Sequence, residues 1–295
     1  MKWEQHGRSW PNSEISRFEI VDRTRYHVQR TGGEGLPKLL MLHGSGATTH
    51  SLAALIENLR GKFDILAPDI PGHGFSGPLD AQKPTLPNIA KALGKLLEYE
   101  DFAPDLVVGH SAGAAIAVQM QSTGVINVGG IVSINGAFYP FPGMAGHLFP
   151  AIARLLFLNP FVPHLFAFGA GSRGRVQDLI DSTGSKLGPE GIDLYQKAIS
   201  DAEHVEGTLA MMANWDLEPM ATMLRHLNIP VLQIIGGRDG TIEPKAAQQT
   251  ARLLRHDSMV VFPDKGHLVH EEAPDEVADA ILHFVEATVR QEISA

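Results

Sequence analysis

A serine flanked by glycines stands at Gly109-His110-Ser111-Ala112-Gly113. A serine hydroxyl is a weak nucleophile at neutral pH. It attacks a carbonyl only when a base takes its proton and a third group orients that base. In a chain with 30 glycines the bare pattern G-x-S-x-G is modest evidence, and a plain glycine-rich turn is the bland reading. The surroundings favour chemistry: Leu106-Val107-Val108 reads as a strand, and Ala112-Gly113-Ala114-Ala115 opens a helix of small residues. A strand, a sharp turn and a helix start expose a hydroxyl beside unpaired backbone N–H groups.

On such an elbow, acid and base follow the serine in the order Ser, Asp, His. Asp239 follows an apolar run in Gly236-Gly237-Arg238-Asp239-Gly240, and His267 follows the next run in Pro263-Asp264-Lys265-Gly266-His267. The expected triad is therefore Ser111, Asp239 and His267. His270 is a rival base, but His267 alone directly follows the glycine turn. Asn135 occupies the alternative position for the acid, after the strand that follows the elbow helix, and carries no charge. Asp216 is a second alternative acid, and Asp69 reads as turn chemistry. The oxyanion hole is expected from the N–H of Ala112 and that of Ser45, with Gly46 as runner-up, in His43-Gly44-Ser45-Gly46. His110, His43 and Asn135 are expected to shape the substrate pocket. His43 is also expected to hold the oxyanion loop by local hydrogen bonds, and His73 reads as structural.

The elements that must position these residues follow from patterning. Arg17–Val21 and Tyr26–Arg30 read as an antiparallel hairpin at a sheet edge. From 36 to 135, unbroken apolar runs alternate with helical periodicity, and glycine turns close the strands. Runs apolar throughout imply strands covered on both faces, hence a parallel sheet. Between Phe138 and Leu227 no strand pattern occurs; helical stretches are predicted at 144–158, 173–182, 190–202, 206–214 and 217–226. Strands resume at 230–235 and 258–262, and a closing helix runs from Pro274 to Val289. The fold class is α/β: a mostly parallel central sheet flanked by helices, with a helical cap inserted before the penultimate strand. Residues 1–137 and 228–295 form the core domain and 138–227 the cap. Leu148 to Phe168 is dense in Leu, Ile and Phe. Packing of the cap onto the sheet accounts for this most simply; an apolar substrate tunnel or peripheral membrane contact is the functional alternative.

Composition removes several classes. A net charge of −9 gives no electrostatic case for nucleic acid. With no cysteine, disulfides, thiolate nucleophiles and Cys-ligated zinc are absent together. No cofactor or metal is expected. No run of 18 clean apolar residues or signal-peptide pattern is present, so a cytoplasmic protein without a transmembrane helix is expected. The oligomeric state is not legible.

The chain resembles the α/β-hydrolase fold superfamily from Pro37 to Val289. The resemblance is carried by His43-Gly44, Asp69-Ile70-Pro71-Gly72-His73-Gly74-Phe75-Ser76, Gly109 to Gly113, Gly236-x-x-Asp239 and Gly266-His267. Dehalogenases and epoxide hydrolases of that superfamily carry an aspartate at the elbow, and Ser111 departs from them toward acyl chemistry. A narrower resemblance is to the magnesium-chelatase accessory hydrolases of bacteriochlorophyll biosynthesis. It rests on Trp10-Pro11-Asn12, Ser16-Arg17-Phe18, Tyr26 to Arg30, Gly44 to Ser51, Gly109 to Ala115, Asn135-Gly136-Ala137 and Met211 to Asp216. It implies a photosynthetic-pigment setting, and no chelatase motor motif G-x-x-x-x-G-K-[ST] accompanies it. The expectation is a serine hydrolase of a small carboxylic ester with an apolar group. Two alternatives stay open: an accessory protein that binds a tetrapyrrole or a chelatase subunit, and C–C bond hydrolysis or perhydrolysis on the same triad.

Overall fold

Two short runs start the sheet. Ser16–Val21 (β1) and Thr24–Arg30 (β2) pair antiparallel through Asp22 and Arg23, whose φ values of 46° and 65° give the left-handed turn that suits a two-residue hairpin. The computed structural model describes residues 1–140 and 172–294. Within it β2 pairs antiparallel with Asp64–Pro68 (β4), and every later pairing is parallel. The remaining strands are Lys38–Leu42 (β3), Leu106–His110 (β5), Gly130–Ile134 (β6), Val231–Gly236 (β7) and Asp257–Phe262 (β8). Their order across the eight-stranded sheet is β1-β2-β4-β3-β5-β6-β7-β8.

The apolar runs are covered on both faces, as their unbroken character requires. Leu40, Leu42, Val107, Ile131 and Val231 point into one core with helices Leu86–Tyr99, Ala112–Ser122 and Met220–His226. Their neighbours Leu39, Met41, Leu106, Val108, Val132, Ile134, Leu232 and Ile234 point into a second core with helices Ala53–Leu59 and Pro274–Ser294. The period-two alternation thus divides each strand between two helical layers.

Between β6 and β7 the described helices are Arg173–Ser182, Pro189–Ile199, Ala202–Ala213 and Met220–His226. No strand occurs among the described residues of this insertion. The helix expected at 144–158, and the apolar stretch Leu148 to Phe168 with its tunnel or membrane reading, lie outside the described residues. Among the described residues no helix is long and apolar enough to cross a membrane. Local patterning did not reveal the short helix Val269–Glu272 directly after His267, which takes in His270.

Candidate active site

The carboxyl ends of β3, β5, β6 and β7 and the loop after β8 meet at one edge, where parallel α/β sheets carry their sites. Ser111 follows β5 with φ 51° and ψ −114°, a conformation a non-glycine side chain rarely adopts. Three backbone bonds hold it there. Its N–H donates to Ile134 O at 2.9 Å, and its own carbonyl accepts from Ala114 and Ala137, both at 3.1 Å. Its helix packs tightly because the first turn is small. A Cβ on Gly113 would lie 2.3 Å from Leu42 O, and one on Gly109 would lie 2.5 Å from Ala114 N.

Asp239 and His267 meet across 28 residues of chain. The His267 Nδ1–H donates to Asp239 Oδ2 at 2.7 Å, with the carboxylate fully buried. Asp239 Oδ1 accepts from the N–H groups of Thr241 and Ile242 at 2.7 and 2.8 Å, which fixes the carboxylate before it meets the ring. A proton committed to Asp239 leaves Nε2 of His267 as the basic nitrogen.

Three neighbours hold the loops that carry this pair. Asn135, at φ 45°, donates through Nδ2 to Gly266 O at 3.1 Å and His267 O at 2.9 Å, and its Oδ1 accepts from Gly236 N at 2.9 Å. His110 Nε2–H donates to His267 O at 3.0 Å, and its ring lies 4.7 Å from that of His267. The segment after helix Arg173–Ser182 grips from the cap. Thr183 O accepts from Gly240 N and His267 N, and Ser185 Oγ accepts from Leu268 N at 2.8 Å. Gly184, at φ 80°, is pressed so closely that a Cβ there would stand 1.8 Å from Arg238 O. Thr183, Gly184 and Ser185 carry no catalytic motif; a glycine among small polar residues was the available signal.

The expected oxyanion loop lies against the serine: a Cβ on Gly44 would be 3.2 Å from Ser111 Cβ and 2.8 Å from His110 Nδ1. Ala47 N donates to Gly44 O at 3.2 Å and Gly46 has φ 75°, a turn that needs glycine at its third position. His43 braces it. Ile70 N–H donates to His43 Nε2 at 2.9 Å, so the ring proton sits on Nδ1 and is donated to Gly44 O at 2.8 Å. In a trans peptide the N–H points opposite the carbonyl, so His43 also sets the direction of the Ser45 N–H. Among the described residues none accepts from the amides of Ser45, Gly46 or Ala112.

Both His43 and Asn135 are fully buried and bonded to backbone at every side-chain polar atom, so the structure makes them braces of the site's loops. Burial holds the pKa values of His43 and His110 below the usual histidine value, which keeps both neutral. His270 packs on His110 with the rings tilted by 45° and their centroids 4.3 Å apart, and its nearest acidic oxygen, on Glu271, is 3.9 Å away. It therefore lacks the orienting carboxylate that His267 has. Asp216 is exposed and accepts from Glu218 N in a cap turn.

Asp69 is more than a turn residue. It is fully buried, accepts from Thr49 N at 2.7 Å and Phe75 N at 2.9 Å, and pairs with His27 Nδ1 at 2.9 Å. Burial alone would raise its pKa; the His27 ring and the backbone donors hold it well below the usual carboxylate value. It orders the Ile70–Ser76 loop, which carries the N–H that sets the tautomer of His43. Among the described residues no three His, Asp or Glu side chains are grouped to hold a metal ion.

An eight-stranded, mostly parallel sheet with a serine elbow and an Asp–His pair at its carboxyl edge defines an α/β hydrolase. Residues 39–280 match the model of the Alpha/beta hydrolase family, and the chain belongs to that family. It is 37% identical over 279 residues to the magnesium-chelatase 30 kDa subunit of Rhodobacter capsulatus, across 94% of this chain and 97% of that protein. Among solved structures it is similar to an esterase from Thermogutta terrifontis, with 22% identity and a TM-score of 0.73 across 92% and 98% of the two chains. It is equally similar in shape to a haloalkane dehalogenase variant from Bradyrhizobium elkanii, with 18% identity and a TM-score of 0.75 across 95% and 98%. At these identities the two structures share the fold alone with this chain.

Proposed function

We propose that this protein is a serine hydrolase of carboxylic esters. Ser111 Oγ attacks the ester carbonyl while Nε2 of His267 takes its proton. Asp239 keeps His267 in the required tautomer and stabilises its cation. The amides of Ala112 and Ser45 receive the oxyanion, and loss of one such donor typically costs about 3 kcal/mol of transition-state stabilisation. Collapse of the tetrahedral adduct expels the alcohol, which leaves with the proton from His267. Water, activated by the same histidine, then releases the acid from the acyl-enzyme.

The observation that carries this reading is the 2.7 Å bond from His267 to a buried Asp239 at the edge where Ser111 stands. A fluorophosphonate probe should label wild type at Ser111. Ser111→Ala should abolish both labelling and turnover of p-nitrophenyl esters. A series of rising acyl length tests the expectation of an apolar substrate group, which rests on the composition of the cap. Undiminished turnover by Ser111→Ala removes the mechanism.

The similarity to a protein named as a magnesium-chelatase subunit supports a second reading: a role beside a chelatase in bacteriochlorophyll synthesis, by binding a tetrapyrrole or another subunit. Titration with a porphyrin separates the two. A Soret shift that survives Ser111→Ala, without esterase activity in wild type, favours the accessory role.

A further inference from the structure

A histidine of the cap joins the Gly44–Ala47 turn, which lies against Ser111, to the Ile70–Ser76 loop. His204, in helix Ala202–Ala213, is 2% exposed. Its Nδ1 accepts the Gly74 N–H at 2.9 Å, so the ring proton of the neutral form sits on Nε2, 3.2 Å from Gly46 O. Burial lowers its pKa to about 4, so the neutral form holds at working pH and the two nitrogens keep their roles.

This is the arrangement of His43 repeated from the opposite side. Each ring receives an N–H from the Ile70–Ser76 loop, and each donates to a carbonyl of the Gly44–Ala47 turn. His43 fixes the peptide between Gly44 and Ser45. His204 fixes the peptide between Gly46 and Ala47. The remaining peptide, which carries the Gly46 N–H, lies between two fixed ones. Three residues beyond His204, Gly207 brings its helix onto the same loop backbone to backbone: a Cβ there would stand 1.8 Å from Gly72 O.

We propose that His204 is a positioning residue of the oxyanion hole, through which the seating of cap helix Ala202–Ala213 sets the direction of the loop's N–H donors. The inference rests on the serine-hydrolase reading above. Its consequence is specific. A loop that loses this anchor still accepts a neutral ester but meets the oxyanion with disordered donors, so kcat falls while KM holds.

Two substitutions separate the bonds. His204→Asn can place its amide oxygen near the Nδ1 position and accept from Gly74, but its side chain is too short to reach Gly46. His204→Gln can accept from Gly74 and donate to Gly46 together. We expect His204→Asn to lose about 10- to 100-fold in kcat and in the rate of fluorophosphonate labelling, with KM within about threefold of wild type. His204→Gln should recover most of the loss. Equal kcat in wild type and His204→Asn, equal losses in both variants, or a change confined to KM overturns the proposal. Should His204→Asn not fold, the wild type still decides: ¹⁵N-histidine spectra must show this ring as the Nε2–H tautomer between about pH 5.5 and 8. An Nδ1–H or doubly protonated ring overturns the proposal whatever the variants do. A wild type that neither labels at Ser111 nor hydrolyses esters removes the serine-hydrolase reading and this inference with it; an active wild type with an unaffected His204→Asn removes the inference alone.

Discussion

Asn135 Nδ2 donates to His267 O at 2.9 Å, across 132 residues of chain. The same amide reaches Gly266 O and receives Gly236 N, so one side chain ties the end of β6 to the last residue of β7 and to the loop after β8. Asn135→Ala removes three hydrogen bonds, strands a buried N–H, and places alanine at a positive φ that asparagine tolerates better. We expect a loss of about 2–4 kcal/mol, read as a melting temperature lower by roughly 5–10 °C. Asn135→Asp should not supply a second acid. It would face two carbonyl oxygens with a carboxylate, and its melting temperature should fall at least as far.

Asp239→Asn leaves the side-chain shape intact and removes the charge that orients His267. Turnover should drop by about 10³- to 10⁴-fold while circular dichroism stays unchanged, as expected where the acid sets the histidine tautomer. Activity within about tenfold of wild type would place the orienting group elsewhere.

Gly113→Ala puts a methyl 2.3 Å from Leu42 O, a backbone atom that cannot swing aside as a side chain can. The elbow helix and β3 must then separate. A loss of about 2–4 kcal/mol is expected in urea titration, together with weaker fluorophosphonate labelling of the displaced serine.

Acid should unfold this protein steeply. His43, His50, His73, His110, His204 and His270 are buried, and burial lowers the pKa of each, to about 3 for His50 and His270 and about 4 for His204. In the unfolded chain each titrates near its ordinary value of 6.5. The unfolded state therefore binds more protons below that pH. The stability is whole above about pH 6.5 and is lost as pH falls toward the folded values, by up to about 1.4 kcal/mol per pH unit per histidine. Glu271 acts in the opposite sense. Burial raises its pKa to about 8, so the folded state holds the extra proton between its ordinary value of 4.5 and 8. Six groups outweigh one, and melting temperature plotted against pH should fall sharply between about pH 6.5 and 4.5. A flat profile over that range would mean that these rings are not buried neutral.

The local parts of the fold were legible because they depend on local physics. The 3.6 and 2.0 periodicities mark helices and strands wherever they occur. Helix Arg173–Ser182 occupies the span predicted for it, and the hairpin, the parallel strands and the elbow lie within a few residues of expectation. The order serine, aspartate, histidine at successive strand ends was likewise a property of the string. What the string does not hold is which atoms of distant loops meet. The tautomers of His43 and His204 depend on N–H groups 27 and 130 residues away. The grip of Thr183 and Ser185 on the His267 loop, and the reach of Asn135, depend on which loops the strand order brings to one edge. Asp69 looked like a turn residue because its nearest neighbours are turn residues; three-dimensional packing buries it against His27 and makes it the centre of a loop that sets the tautomers of two histidines. Sequence determined the elements and the candidate nucleophile, acid and base. Tertiary structure alone decided what holds them, because burial and hydrogen-bond pairing between remote segments exist only once the chain has closed on itself.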